Sequence, residues 1–127
     1  MILSKSQAYN YLYNAGFRGS HLNAALQIAI CESSLNTNVH NTTGEDSRGL
    51  MQINVASNAN PQYANYNLFD PVINTQVAFR IFQQWGNNFG AWTCARTLGL
   101  VNPGNSNDIQ NLIIPIALLG LTLYLIS

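Results

Sequence analysis

Charge is the scarcest property of this sequence. Five basic and five acidic residues make up 8% of its 127 residues, against roughly a quarter in ordinary soluble domains. The formal net charge is zero, so the chain has no basic excess that would attract a polyanion. We therefore expect no nucleic-acid partner.

Cysteine and histidine are also rare. Cys31 and Cys94 are the only cysteines, neither belongs to a CxxC pair, and His21 and His40 show no ligand spacing. We therefore expect no metal ion and no other cofactor. The two cysteines are compatible with two buried thiols, or with one long-range disulfide that would add roughly 4 kcal/mol in the chain-entropy estimate. The sequence leaves that choice open.

The two ends of the chain differ in character. Residues 1–17 contain one lysine, no apolar core segment and no small-residue cleavage site, so we expect no secretory signal there. Residues 109–127 carry no charged side chain, and as a helix they would span about 28 Å, close to the roughly 30 Å of a bilayer's hydrocarbon core. A helix buried against another subunit is the alternative. We expect a globular domain at residues 1–99, a linker at 100–108 and a C-terminal transmembrane anchor at 109–127.

Helix signals divide the polar part of the chain. Ser4 and Gln7 form a capping-box pattern before a short helix. Ser20 is the predicted N-cap of a second helix, which carries an apolar stripe and ends near Ser33 or Ser34.

A third helix begins where Asp70 precedes Pro71. The stretch 36–48 has turn composition, and residues 50–54 alternate as in a brief strand or an extended turn. We therefore expect a mainly α fold with a minimal β region.

One acidic residue, Glu32, stands near the C-terminal end of the second predicted helix. It borders the apolar stripe, because Ala25 and Ala29 lie seven and three positions before it. The helix dipole and desolvation both disfavour the ionised form of a carboxyl group in this position. We expect Glu32 to keep a proton near neutral pH, as a general acid must.

The segment G-L-M-Q-I-N occupies residues 49–54, about seventeen positions after Glu32. Glu32-Ser33 followed by this turn resembles the active-site core of the lysozyme superfamily, and lytic transglycosylases and the lysozyme-like domains of phage virion proteins look most similar. Residues 68–92 contain an L-x-D-P-x-x-N pattern and a later F-x-x-W, and are similar to the lysozyme-like domains of phage tail proteins, which show L-x-D-P-x-x-N and G-x-F-x-x-W patterns. Asn74 and Trp92 match those patterns.

The resemblance implies an α+β lysozyme-like fold that cleaves the MurNAc-GlcNAc β-1,4 bond of peptidoglycan, with Glu32 as the catalytic acid/base. It also implies that a serine next to the acid orients it, and that the turn lines the sugar groove. The substrate-binding residues implied in this way are Ser33, Gly49, Met51, Gln52, Asn54 and Trp92.

A second carboxylate is harder to assign. Chicken-type lysozymes place an aspartate two residues before the glycine of the turn, and this chain has Ser47 there. Glu45 and Asp46 are the nearby candidates, with a solvated turn as the alternative for both. Lytic transglycosylases need only one glutamate and leave a 1,6-anhydro end, but their A-Y-N-x-G motif is replaced here by residues 91–93. The choice between hydrolase and transglycosylase stays open.

The lack of an export signal on an enzyme that cleaves the cell wall favours the hypothesis that a virus particle delivers it, above all a particle with an internal membrane. We therefore expect a location in the virion membrane or the bacterial envelope. The expected partners are peptidoglycan strands, membrane lipid through residues 109–127, and other virion proteins. The alternatives are a non-catalytic virion component that keeps the fold to bind glycan or build the capsid, and a lysis protein that acts late in infection.

Overall fold

The computed structural model describes residues 1–104, which form a mainly helical domain with one small sheet. The predicted mainly α class with a minimal β region is confirmed. The elements are helices α1 (Lys5–Ala15), α2 (Gly19–Ser33), α3 (Pro71–Gln84) and α4 (Thr93–Leu98), strands β1 (His40–Asn41), β2 (Ser47–Arg48) and β3 (Ile53–Asn54), and a 3-10 turn at Pro61–Tyr63.

Local capping chemistry fixes the starts of α1 and α3. The Ser4 hydroxyl accepts a hydrogen bond from the Gln7 backbone N–H at 3.0 Å, and the Gln7 side chain accepts one from the Ser4 N–H at 2.9 Å. The Asp70 carboxylate accepts a hydrogen bond from the Val72 N–H at 2.8 Å, with Pro71 at the first helical position. Both starts follow from the sequence, because each cap satisfies backbone donors that the helix itself leaves free.

The predicted N-cap of α2 is wrong, because Arg18 holds that position and the helix begins at Gly19 instead of following Ser20. The Arg18 guanidinium donates hydrogen bonds to the Tyr13 and Phe17 carbonyls and lies 3.7 Å from the centre of the Tyr13 ring. These contacts hold the chain as it leaves α1, so the next helix starts earlier than the serine signal indicates.

The stretch 36–48, for which the sequence predicts turns, contains strands β1 and β2. The three strands form an antiparallel sheet in the order β1-β2-β3, in which His40 pairs with Arg48, and Ser47 pairs with both Asn41 and Asn54. Each strand is two residues long, too short for a readable alternation of apolar and polar residues. The sheet therefore follows from the tertiary structure and not from a strand pattern.

The core lies between α1, α2 and α3, with aromatic rings at one end. Phe17 packs against Phe79, Phe82 and Phe89 at centroid distances of 5.0, 5.3 and 5.7 Å. Helix α2 also contacts α4, and α3 contacts β3. As a result, the C-terminal end of α2 lies at the edge of the core beside the sheet and α4.

The predicted anchor at 109–127 and residues 105–108 of the predicted linker lie outside the described residues. Within residues 1–104, none of the helices combines the length and the apolar character needed to cross a bilayer.

Candidate active site

A small pocket of about 60 Å³ opens where the end of α2, the sheet and the start of α4 meet. Glu32 enters it from the last turn of α2, so the predicted acid faces a cavity and not bulk solvent alone. The pocket is lined by Glu32, Glu45, Ser47, Gln52, Asn54, Ala91, Trp92 and Thr93.

The surroundings of Glu32 favour its protonated form. Burial raises the pKa of this carboxyl group above its ordinary value, and the negative charge of Glu45 raises it further. The Cys94 backbone N–H, which donates to Glu32 Oε2 at 3.2 Å, and the positive charge of Arg96 lower the pKa in part. The net shift is upward, which is the property that a proton donor working near neutral pH requires.

Glu45 brings a second carboxylate to the same pocket. Its Oε1 accepts a hydrogen bond from the Ser47 hydroxyl, and its Oε2 accepts one from Asn41 Nδ2 at 3.2 Å. Glu45, in the bend before β2, and Ser47, the first residue of β2, both line the pocket. Two hydrogen bonds from the protein therefore hold the second carboxylate in the pocket with Glu32.

Asp46, the other candidate for the second carboxylate, does not line the pocket. Its Oδ1 accepts hydrogen bonds from Arg48 Nε at 2.9 Å and from His40 Nε2 at 2.7 Å, and its Oδ2 pairs with Arg48 Nη2 at 2.8 Å. These hydrogen bonds, with Arg48 first, hold the pKa of Asp46 at about 2. Asp46 lies between the bend at 43–45 and β2, and its side chain pairs with Arg48 and His40, so the two adjacent acids have different surroundings.

Gln52, Asn54 and Trp92, three of the predicted groove residues, line the pocket. Gln52 Nε2 donates to the Gly49 carbonyl at 3.0 Å, and Trp92 Nε1 donates to the Met51 carbonyl at 2.8 Å. These bonds to the turn fix both side chains from behind. The same three residues also line a second cavity of about 30 Å³, so the two cavities share a wall.

Three other predicted substrate-binding residues lie away from the pocket lining. Ser33 is 5% exposed, and its hydroxyl donates to the Ala29 carbonyl at 3.0 Å instead of contacting Glu32. Met51 is fully buried in the core. Gly49 has a φ of +76°, and a Cβ there would overlap the Leu68 carbonyl oxygen, so the close approach that requires glycine occurs within the protein.

Asn74 supports the turn from the core side. It is completely buried, its Oδ1 accepts a hydrogen bond from the Met51 N–H at 2.8 Å, and its Nδ2 donates to the Arg48 and Leu68 carbonyls at 2.9 and 2.8 Å. The L-x-D-P-x-x-N pattern indicates this asparagine, but its spacing does not reveal the contact with the turn.

The sequence did not predict Ser47, Ala91 and Thr93 as pocket residues. Ser47 carries no signal in the sequence, because it lies in a stretch of turn composition. Thr93 has no signal either, because Trp92, the N-cap residue of α4, makes no side-chain capping hydrogen bond.

Cys31 and Cys94, whose pairing the sequence left open, form a disulfide with Cα atoms 6.0 Å apart. The bond joins the last turn of α2 to the first turn of α4, beside Glu32. The described residues, 1–104, contain no group of three or more His, Cys, Asp or Glu side chains placed to share a metal ion.

The pocket of this small helical domain holds one carboxyl group whose pKa is raised by burial and a second, hydrogen-bonded carboxylate, the pair of groups that glycoside hydrolases use. The sequence model of the family described as "Lysozyme like domain" matches residues 9–94. The match covers more than half of the chain, which therefore belongs to the lysozyme-like domain family. This confirms the lysozyme-like resemblance. Comparison with curated proteins and comparison with solved structures gave no match.

Proposed function

We propose that this chain cleaves the MurNAc-GlcNAc β-1,4 bond of peptidoglycan, with Glu32 as the general acid/base. The observation that carries the proposal is the pocket in which Glu32, with its pKa raised by burial, faces the carboxylate of Glu45. Membership of the lysozyme-like family supports a glycan substrate. The two cavities that share Gln52, Asn54 and Trp92 support a polymeric one, because an extended strand contacts more than one cavity.

Protonated Glu32 donates its proton to the glycosidic oxygen as the bond to the anomeric carbon breaks. Positive charge then develops on the sugar ring, and the Glu45 carboxylate lies across the pocket to stabilise it. Water adds to the anomeric carbon, and the Glu32 carboxylate recovers a proton in that step. The product is a strand with a new reducing end.

The second carboxylate favours hydrolysis over transglycosylation. Transglycosylases work with one glutamate, because the 6-hydroxyl of the sugar attacks the anomeric carbon and leaves a 1,6-anhydro end. A carboxylate held by Ser47 and Asn41 in the same pocket as Glu32 is what a hydrolase requires in addition. Anchoring by residues 109–127 and delivery by a virion stay predictions.

The test is the rate at which the full chain releases soluble glycan from purified peptidoglycan. We expect Glu32→Gln to lower this rate at least about 100-fold, because a general acid contributes about 10²–10⁴-fold. Asp46→Asn is the matched control, since it removes an acid outside the pocket and is expected to change the rate less than about threefold.

A folded Glu32→Gln variant that releases glycan as fast as the native chain would contradict the proposal. Binding of peptidoglycan by the native chain without any release would instead support the non-catalytic glycan-binding role.

A further inference from the structure

Cys94 belongs to the disulfide and also contacts the proposed catalytic acid, Glu32. Cys31 directly precedes Glu32 at the end of α2, and Cys94, its bonded partner, donates its backbone N–H to Glu32 Oε2 at 3.2 Å. A single residue of α4 is therefore bonded covalently to α2 and hydrogen-bonded to the carboxyl group that α2 presents.

Helix α4 has little stability of its own, because it is six residues long and isolated helices of that length are not stable in water. Two residues beside Cys94 hold α4 in place independently of the disulfide. The Trp92 indole donates to the Met51 carbonyl at 2.8 Å. Ala95 is completely buried, and its carbonyl accepts a hydrogen bond from the Leu100 N–H at 2.8 Å. Between these anchors, the disulfide restrains Cys94 against Glu32.

We propose that the Cys31–Cys94 disulfide positions the Cys94 amide against Glu32, so that cleavage activity depends on the redox state of this bond. The inference rests on the proposed catalytic role of Glu32. Cys31 and Cys94 are positioning residues in this account, since neither side chain lines the pocket.

The bond is accessible to a reductant, because Cys31 is exposed and Cys94 is partly exposed. A thiolate of a dithiol attacks one sulfur and forms a mixed disulfide, and the second thiol of the reductant then displaces the remaining cysteine. The protein gains two electrons and two protons as two cysteine thiols, and the reductant becomes a cyclic disulfide. Such bonds persist outside the cytoplasm and are reduced within it, so activity would appear in the compartment where peptidoglycan lies.

Reduction also changes the charges and dipoles around Glu32. The groups that face its carboxyl are the Cys94 amide and Arg96 from α4, and Glu45 from the β1–β2 connection. The first two lower its pKa, and both belong to the helix that the disulfide restrains. Loosening α4 withdraws them and also lessens the burial that is the largest cause of the raised pKa, so the pKa of Glu32 changes and the upper limit of the active pH range moves with it.

The test compares the oxidised full chain with the same protein reduced by dithiothreitol, across pH, on purified peptidoglycan. We expect reduction to lower kcat by about tenfold to 100-fold, the scale of a displaced catalytic group, and to shift the high-pH limb of the activity profile. Reoxidation restores both. The double variant Cys31→Ser/Cys94→Ser should match the reduced protein and not respond to dithiothreitol.

Equal kcat and an unchanged pH profile after reduction would overturn the inference and leave the proposed function intact. Circular dichroism that shows the reduced chain unfolded at the assay temperature would also overturn it, because the bond would then act on stability alone. An oxidised chain that is folded but inactive would contradict the proposed function itself, and this inference with it.

Discussion

At the residue scale, the adjacent acids Glu45 and Asp46 show how one peptide step separates two roles. Glu45 lines the pocket with Glu32, whereas Asp46 pairs with Arg48 and His40 outside it. The sequence placed both near the turn but gave no means of choosing between them. The choice depends on the local geometry of the bend that leads into β2, for which the turn composition of this stretch gives no direction.

Glu45→Gln removes the charge of the second carboxylate and preserves its size. We expect it to lower the rate of glycan release by about 100-fold, because the developing positive charge loses its stabilising partner. The measurement is the initial release rate from purified peptidoglycan, with folding checked by circular dichroism. A rate within about twofold of the native value would show that Glu45 takes no part, and would favour the single-glutamate route.

Glu32 also affects the pH dependence of stability. Its pKa in the folded state is raised above the ordinary value near 4.5, so the folded state holds this proton more tightly than the unfolded chain. The stabilising contribution is complete below the unfolded pKa and is lost as pH rises through the folded pKa.

The glutamine side chain of the Glu32→Gln variant does not titrate, so this variant lacks that pH-dependent contribution. We therefore expect the free energy of unfolding of this variant, relative to the native chain, to increase as pH rises from about 4 to 7. Urea unfolding at several pH values measures the difference. A difference that stays constant or decreases over that range would contradict the burial of Glu32.

At the element scale, the turn at residues 49–52 shows how a motif depends on a distant residue. Asn74 makes three hydrogen bonds that hold this turn against α3. Asn74→Ala leaves the Met51 N–H and two carbonyls without their partner, so we expect the free energy of unfolding to fall by about 3 kcal/mol. Urea unfolding measures this change.

Gln83→Ala is the matched control for that substitution, because Gln83 lies exposed on the same helix. We expect its effect to stay within about 0.5 kcal/mol. If both variants unfold at the same urea concentration, Asn74 does not support the turn.

The elements that the sequence predicts well are those with local signals. The starts of α1 and α3 follow from Ser4 and Asp70, whose caps act within their own first turns. The predicted start of α2 was wrong, because a contact of Arg18 with the preceding helix overrides the capping signal of Ser20. Helix α4 lacks a side-chain cap, and it was not predicted because its position depends on tertiary contacts.

The site divides in the same way. Glu32 was predicted from its helix-end position and the turn that follows, and the structure places it in the pocket with Gln52, Asn54 and Trp92. Apolar and glycine positions of the motif, such as Met51 and Gly49, are buried instead. A motif alone does not distinguish residues that shape a turn from residues that contact a ligand, because both kinds occur at fixed spacing.

At the scale of the whole molecule, the disulfide closes a loop between residues 63 positions apart. Cys31→Ser/Cys94→Ser frees that loop in the unfolded state, so we expect the free energy of unfolding to fall by about 4 kcal/mol. Small domains have stabilities of about 5–15 kcal/mol, which leaves room for a folded variant. Urea unfolding of the oxidised native chain and of the variant measures the loss, and equal midpoints would show that the disulfide does not constrain the chain.

The central claim is that Glu32 drives cleavage of a glycan strand within a lysozyme-like domain. Mass spectrometry of the muropeptides that the full chain releases from purified peptidoglycan tests it most directly, with Glu32→Gln beside the native protein. We predict products with new reducing ends from the native chain and none from the variant. Equal amounts of product from both proteins, or no product from a folded native chain, would contradict the claim.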